Sequence, residues 1–349
     1  METTTAPEDA LRALFRLPRH LPPKALRTLV GKPIVIDGQT LDPQAQLVCR
    51  AMETIGRVPV YMKPVEAARR DFARLALAAD APGAPLPRLV DRVFQGPSGP
   101  IRVRVLYPRI SAAPMPAVVY YHGGGYVLGS PETADALCHR LARQADAIVV
   151  NVDYRLAPEH VFPAAVEDCF AAFRWTVENA GELGIDPARV AVAGDSAGGC
   201  LATVTAQLAR DAGGPRPRYQ LLFYPGTDTL SSLPSKQLFH KGFYLDTPTV
   251  EWFVSQYVPK GKEHDFRASP LRRPDLSNLP PARIVTAGFD PLRDEGRAYA
   301  GRMAKAGVPV EDVCEAGLIH GFANMGMIEA GMRAVREAAA ALGRALHGG

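Results

Sequence analysis

No stretch of this sequence approaches the roughly 18 consecutive apolar residues that a membrane span needs, so no stable membrane insertion is expected. The opening residues, METTTAPEDALRALF, have no basic segment ahead of a continuous apolar run, which makes them a poor signal peptide. Neither sign of charge dominates. Forty Lys and Arg stand against 36 Asp and Glu, a formal net charge of +4, too small and too dispersed to argue for nucleic acid. The one basic concentration, RALFRLPRHLPPKALRTLVGK, is broken by prolines. It reads as a solvated helical face ahead of an interfacial amphipathic helix. Cysteine is scarce: Cys49, Cys138, Cys169, Cys200 and Cys314 are odd in number and widely spaced. That excludes a disulfide framework or a metal knuckle and reads as reduced thiols in a cytoplasmic protein. Aromatics make up only 7% of the chain, yet Phe239, Phe243, Tyr244, Trp252, Phe253 and Tyr257 crowd one short region.

What is present is a regular alternation. Up to about residue 85 the texture is helical, in DPQAQLVCRAMETIG and PVEAARRDFARLALAA, with PIVID as a short strand. After the linker APGAPLP, the runs RLVDRVF and IRVRVLY flank the turn QGPSGP and make a hairpin. Then PAVVYY, AIVVNVDY, RVAVAG, YQLLFYPG, ARIVTAGFD and VEDVCEA read as strands, most of them followed by helical stretches. One of these helices opens at Ser130–Pro131, an N-cap with proline at the first position. Apolar strands separated by helices predict an α/β fold, a mostly parallel central sheet with helices on both faces. About fifty residues separate YQLLFYPG from ARIVTAGFD, too many for a plain loop. With its aromatics, this insertion looks like part of a cover.

Two glycine clusters carry the chemistry. The run VAGDSAGG matches G-x-S-x-G between a strand and a helix. A sharp strand–turn–helix elbow brings the positions two before and two after the serine close together. Gly194 and Gly198 therefore flank Ser196, and the N–H of Ala197 lies in the unsatisfied first turn of the helix. A serine hydroxyl is a weak nucleophile and needs a base. His320, in the loop AGLIHGF after the last strand, is the best placed of the histidines that follow. The acid should stand at the end of the preceding strand. Asp290 is favoured there because strand ends are rigid, and Asp294, one helical turn later, is the alternative.

The second cluster, HGGG, ends the strand PAVVYY. Ester cleavage creates an oxyanion that needs preorganised donors. Side-chain-free backbone lets N–H groups converge, whereas the phosphate-loop and dinucleotide patterns both fail here. A side chain at Gly125 is expected to cost turnover and leave the fold intact, since strand-end loops lie on the surface.

HGGGYVLGS, DYRLAPEHVFPAAVEDC, GDSAGG, FDPLRDEG and HGF, in this order, resemble the hormone-sensitive-lipase family of α/β-hydrolases, the bacterial family IV carboxylesterases. The resemblance runs from about residue 41 to the end. It implies a triad of Ser196, Asp290 and His320, and an oxyanion hole from the N–H groups of Gly124, Gly125 and Ala197. It also implies that His122, with Gly123, shapes the loop and that DYRLAPE closes a loop beneath the site. A helical cap is implied at residues 1–85, with an insertion at about 227–268, over a catalytic domain at 86–349. Pairing of two subunits through an edge strand is a further implication.

The expectation is a serine esterase for short to medium acyl esters of small molecules, working without metal or cofactor. An amide, formamide or lactone hydrolase with the same triad is the alternative. A lipase with an interfacial lid and a non-catalytic ligand-binding homologue are the more distant ones.

Overall fold

The computed structural model describes residues 21–54, 58–80 and 83–348. The signal-peptide reading and the first part of the basic segment lie outside the described residues. The described part of that segment forms helix α1 (Pro23–Val30), with proline opening its first turn and Gly31, at φ 68°, ending it.

A two-residue ribbon, Val35–Ile36 with Gln39–Thr40, stands where the short strand is expected. Helices α2 (Pro43–Thr54) and α3 (Val65–Ala79) follow. The α3 side chain Arg69 reaches back onto the body of the protein. It donates to the Val127 carbonyl at 2.9 Å and the Ala157 carbonyl at 2.8 Å, and pairs with both oxygens of Glu159.

Strands β1 (Arg88–Gly96) and β2 (Gly99–Tyr107) form the expected hairpin. Then come β3 (Met115–Tyr121), α4 (Pro131–Ala145), β4 (Ile148–Asp153), α5 (Ala164–Glu178), β5 (Ile185–Asp195) and α6 (Ala197–Asp211). The chain continues through β6 (Gln220–Phe223), α7 (Thr247–Tyr257), β7 (Ala282–Phe289), α8 (Arg293–Lys305), β8 (Val310–Ile319) and α9 (Glu329–His347). The eight strands lie in the order β8-β7-β6-β5-β3-β4-β2-β1, parallel except for the pairings of β2 with β1 and β4.

Two elements differ in length from their sequence pattern. β6 stops at Phe223 because Tyr224 takes a positive φ of 35° and Pro225 has no N–H to donate to a ladder. β8 runs on past the apolar pattern to Ile319, which delivers His320 at the strand end.

Successive side chains on a strand point to opposite faces, and both faces are covered. Val119, Tyr121, Val150, Val192 and Ile284 pack with α5, α6 and α8 on one side. Val118, Tyr120, Val149, Phe223 and Val285 pack with α4 and α9 on the other. β3 is fully buried along its length, which is why PAVVYY carries no polar alternation. The HGGG loop, the turn at Ser196 and the loop of His320 therefore rise from the carboxyl ends of strands held on both faces. Among the described residues, no helix is long and apolar enough to cross a membrane.

Candidate functional site

Ser196 sits between β5 and α6 at φ 57°, ψ −119°, a conformation that is costly for a residue with a side chain. Neighbouring backbone holds it there. Its N–H donates to the Phe223 carbonyl at 2.9 Å, and its carbonyl accepts from Gly226 at 3.3 Å. The flanking glycines are required by close approach: a Cβ at Gly194 or Gly198 would run into backbone of the facing turn and of Tyr121.

The side chains read from the sequence converge. His320 Nε2 lies 3.0 Å from Ser196 Oγ, and His320 Nδ1 lies 2.7 Å from Asp290 Oδ2. The other Asp290 oxygen accepts from the Leu292 N–H at 2.8 Å, which fixes the carboxylate's orientation. Asp290 is wholly buried, and His320 is 6% exposed. With Nδ1–H donated to Asp290, the Nε2 lone pair faces the serine hydroxyl.

Asp294 is engaged elsewhere. It accepts from the Ser235 N–H at 2.8 Å and pairs with Arg293 Nε at 2.7 Å, so it anchors the insertion and not the histidine.

The HGGG loop is shaped by contacts that the sequence pattern does not reveal. The Gly123 N–H is taken by Asp195 Oδ1 at 2.9 Å. That carboxylate also accepts from the Tyr120 hydroxyl at 2.6 Å and from Asn324 Nδ2 at 3.0 Å. Burial pushes the Asp195 carboxyl up, opposed by the hydrogen bonds from Tyr120 and Gly123 and by the nearby His122 and His320. Asp195 thus ties together the β3 end, the glycine loop and the segment after His320. His122 stacks on Tyr154 with ring centres 4.4 Å apart. Burial holds its pKa down, and Nδ1 donates at 2.8 Å to the Gly123 carbonyl oxygen, an atom that can only accept.

Gly124 has φ 123° and Gly125 φ 62°. Among the described residues, no protein acceptor takes the N–H of Gly124, Gly125 or Ala197. All three residues line the cavity into which Ser196 and His320 open.

The expectation for Gly125 needs correction. A Cβ there would overlap the Phe253 ring of α7, so the loop is not free surface but is covered by the insertion.

The cavity encloses about 380 Å3. Met52 and Phe72 of α2 and α3, Leu128 ahead of α4, Ala134 within it, and Val250 and Phe253 of α7 give it an apolar wall. Tyr224 packs on His320 at 4.6 Å between ring centres. Lys236 and Glu295 also face the cavity, a buried pair of which Glu295 falls in the motif FDPLRDEG and Lys236 in no motif. Burial raises the Glu295 pKa, against the Lys236 charge and the backbone N–H groups of Thr227 and Asp228. Among the described residues, no group of three or more His, Cys, Asp or Glu is placed to hold a metal ion. The five cysteines are unpaired, and burial raises the thiol pKa of each.

Comparison with known proteins agrees with this architecture. A family model described as alpha/beta hydrolase fold matches residues 118–324. The carboxylic ester hydrolase LipN of Mycobacterium tuberculosis is 43% identical over 323 residues, 90% of this chain and 85% of its own length. An ethyl acetate hydrolase of Pseudomonas putida is 41% identical over 296 residues, 81% of this chain and 91% of its own. Among solved structures, an ester-hydrolase from the metagenome of Lake Arreo, complexed with a bipyridine phosphonate derivative, superposes with a TM-score of 0.84. It is 41% identical and covers 87% of this chain and 98% of its own.

Proposed function

The chain belongs to the hormone-sensitive-lipase branch of the α/β hydrolases and is a carboxylic ester hydrolase; on that premise we propose that it cleaves short to medium acyl esters through an acyl-enzyme on Ser196. The observation that carries this reading is the chain of contacts from Ser196 Oγ to His320 Nε2 at 3.0 Å and from His320 Nδ1 to Asp290 at 2.7 Å.

In the proposed mechanism, Oγ attacks the ester carbonyl and His320 Nε2 takes the hydroxyl proton. Asp290 keeps the imidazole in its orientation and stabilises its positive charge. The carbonyl oxygen becomes an oxyanion, received by the N–H groups of Gly124, Gly125 and Ala197, with Asp195 and His122 holding the loop that presents them. Collapse of the tetrahedral species breaks the ester bond, and the alkoxide leaves with the proton from His320. Water then gives a proton to His320 and attacks the acyl carbonyl. The same donors stabilise the second oxyanion, and release of the acid restores Ser196.

The cavity supports the chain-length part. Its volume of about 380 Å3 lies near the lower end of small-molecule pockets. Helices α2 and α3 and the insertion wall it in, and we assign them the role of cap. A short-ester relative, the ethyl acetate hydrolase, points the same way.

The test is a series of p-nitrophenyl esters from acetate to palmitate. The expected result is the highest kcat/KM on short chains and little turnover of palmitate. A maximum on palmitate, or a jump in rate as substrate passes its solubility limit, overturns the chain-length assignment.

A further inference from the structure

Lys236 and Glu295 face the same cavity as Ser196 and His320, and the ester chemistry uses neither. Both are buried, at 8% and 2% exposure. Glu295, on α8, spends one oxygen on backbone: Oε1 accepts from the N–H groups of Thr227 at 2.8 Å and Asp228 at 3.3 Å. Lys236 rides on the short helix Ser235–Leu238. That helix is pinned to the Asp290 loop through Ser235 Oγ, which donates to the Pro291 carbonyl at 2.9 Å.

Lys236 Nζ stands 3.2 Å from Glu295 Oε2, an ion contact without hydrogen-bond geometry. Among the described residues, Glu295 Oε2 has no partner with hydrogen-bond geometry, and Nζ is its ion contact. Gly226 separates this pair from the nucleophile. Its N–H donates to the Ser196 carbonyl at 3.3 Å, and a Cβ there would stand 3.9 Å from Glu295 Oε1.

Stability does not account for such a pair. Buried ion pairs are commonly no better than apolar residues of equal volume, and unused hydrogen-bonding capacity in a buried wall is a cost. The geometry points to a substrate group that both donates and accepts. We propose that Lys236 and Glu295 form a specificity site for a hydroxyl on the ester, its O–H donating to Glu295 Oε2 while its oxygen accepts from Lys236 Nζ. The substrate class is an ester with a free hydroxyl near the scissile bond, either a hydroxyacyl ester or a monoester of a diol or polyol. A carboxylate would meet the Glu295 charge, an ammonium would meet Lys236, and a plain alkyl chain would leave the pair's remaining hydrogen-bonding capacity unused.

This inference rests on the ester-hydrolase reading, and the experiment separates the two. Initial rates are measured by proton release on matched pairs. Ethyl 3-hydroxybutyrate against ethyl butyrate tests the acyl side. 2-Hydroxyethyl butyrate against propyl butyrate tests the alcohol side. Each ratio is corrected for the pair's alkaline hydrolysis rates.

The expected result is that the protein prefers the hydroxylated member of one pair by about 10- to 100-fold in kcat/KM, the range for a hydrogen bond to charged groups. In Lys236→Met and in Glu295→Gln, the ratio should fall to near unity. Glu295→Gln retains the Oε1 bonds to Thr227 and Asp228, so it tests the idea even if Lys236→Met does not fold.

Ratios near unity in both pairs for the wild type, with ethyl butyrate cleaved, would overturn the inference and leave the ester reading standing. A preference that persists in Glu295→Gln would also overturn it. Failure to cleave any of the four esters would overturn both.

Discussion

Gly124 and Gly125 adjoin in the chain, but the structure predicts that side chains there fail for different reasons. At Gly124, φ is 123° and an added Cβ would overlap the Leu128 carbonyl. That obstacle is backbone, held in the loop by Leu128 N–H donating to the Gly124 carbonyl at 2.8 Å. Gly124→Ala therefore adds strain of roughly 1–3 kcal/mol and forces the loop to move. Moving it would withdraw one of the proposed oxyanion donors, at an expected cost of about 10²–10³ in kcat.

At Gly125, φ is 62°, a left-handed conformation that costs alanine roughly 1–2 kcal/mol. The obstacle is the Phe253 ring, a side chain on α7 that can be removed. Gly125→Ala should thus lose kcat, and Gly125→Ala with Phe253→Ala should recover most of it, a coupling of about 0.5–3 kcal/mol. Phe253→Ala should give Gly124→Ala no relief. The assay is kcat on a short p-nitrophenyl ester for the single and double variants, with thermal unfolding to show that each is folded. Wild-type turnover by Gly124→Ala, or equal rescue of both glycines by Phe253→Ala, would contradict this distinction between the two glycines.

Asp290→Asn should lower kcat by about 10⁴, because the imidazole loses its correct tautomer. Asp294→Asn should mainly lower the melting temperature, since it weakens the hold on Ser235 and Arg293; the reverse pattern would show that the acid is misassigned. Away from the site, Arg102 grips both oxygens of Glu132, at 2.7 and 3.1 Å, and holds its pKa at about 2 against an ordinary 4.5. The folded carboxyl binds its proton less tightly than the unfolded one. Its stabilisation is therefore full above about pH 4.5 and is lost as pH falls toward 2. The stability gap between wild type and Glu132→Gln, about 1 kcal/mol or less at this solvent-screened position, should close over that window. A gap that widens on acidification would contradict the assignment.

The sheet was legible because PAVVYY, RVAVAG and ARIVTAGFD are apolar on both faces, and such runs between helices leave few other folds. Ser196 was legible because its elbow needs small neighbours at fixed spacing. Strand-end position favoured Asp290 over Asp294, and geometry separates them: one faces His320, the other the insertion. What the sequence could not reveal depends on approaches between distant segments. Asn324 reaches Asp195 across 129 positions, and Lys236 meets Glu295 through the folding of the insertion onto α8. The covering of Gly125 by Phe253 is of the same kind. Aromatic enrichment in 239–257 marked a cover, but no local pattern told which ring would rest on which glycine.

The most direct measurement is mass spectrometry of the protein after acid quenching during turnover of a short p-nitrophenyl ester. An acyl-enzyme on Ser196 gives one added acyl group, located on the peptide that contains Ser196 and absent from Ser196→Ala, which should turn over essentially no ester. An acyl group on another residue, or undiminished turnover by Ser196→Ala, would contradict it.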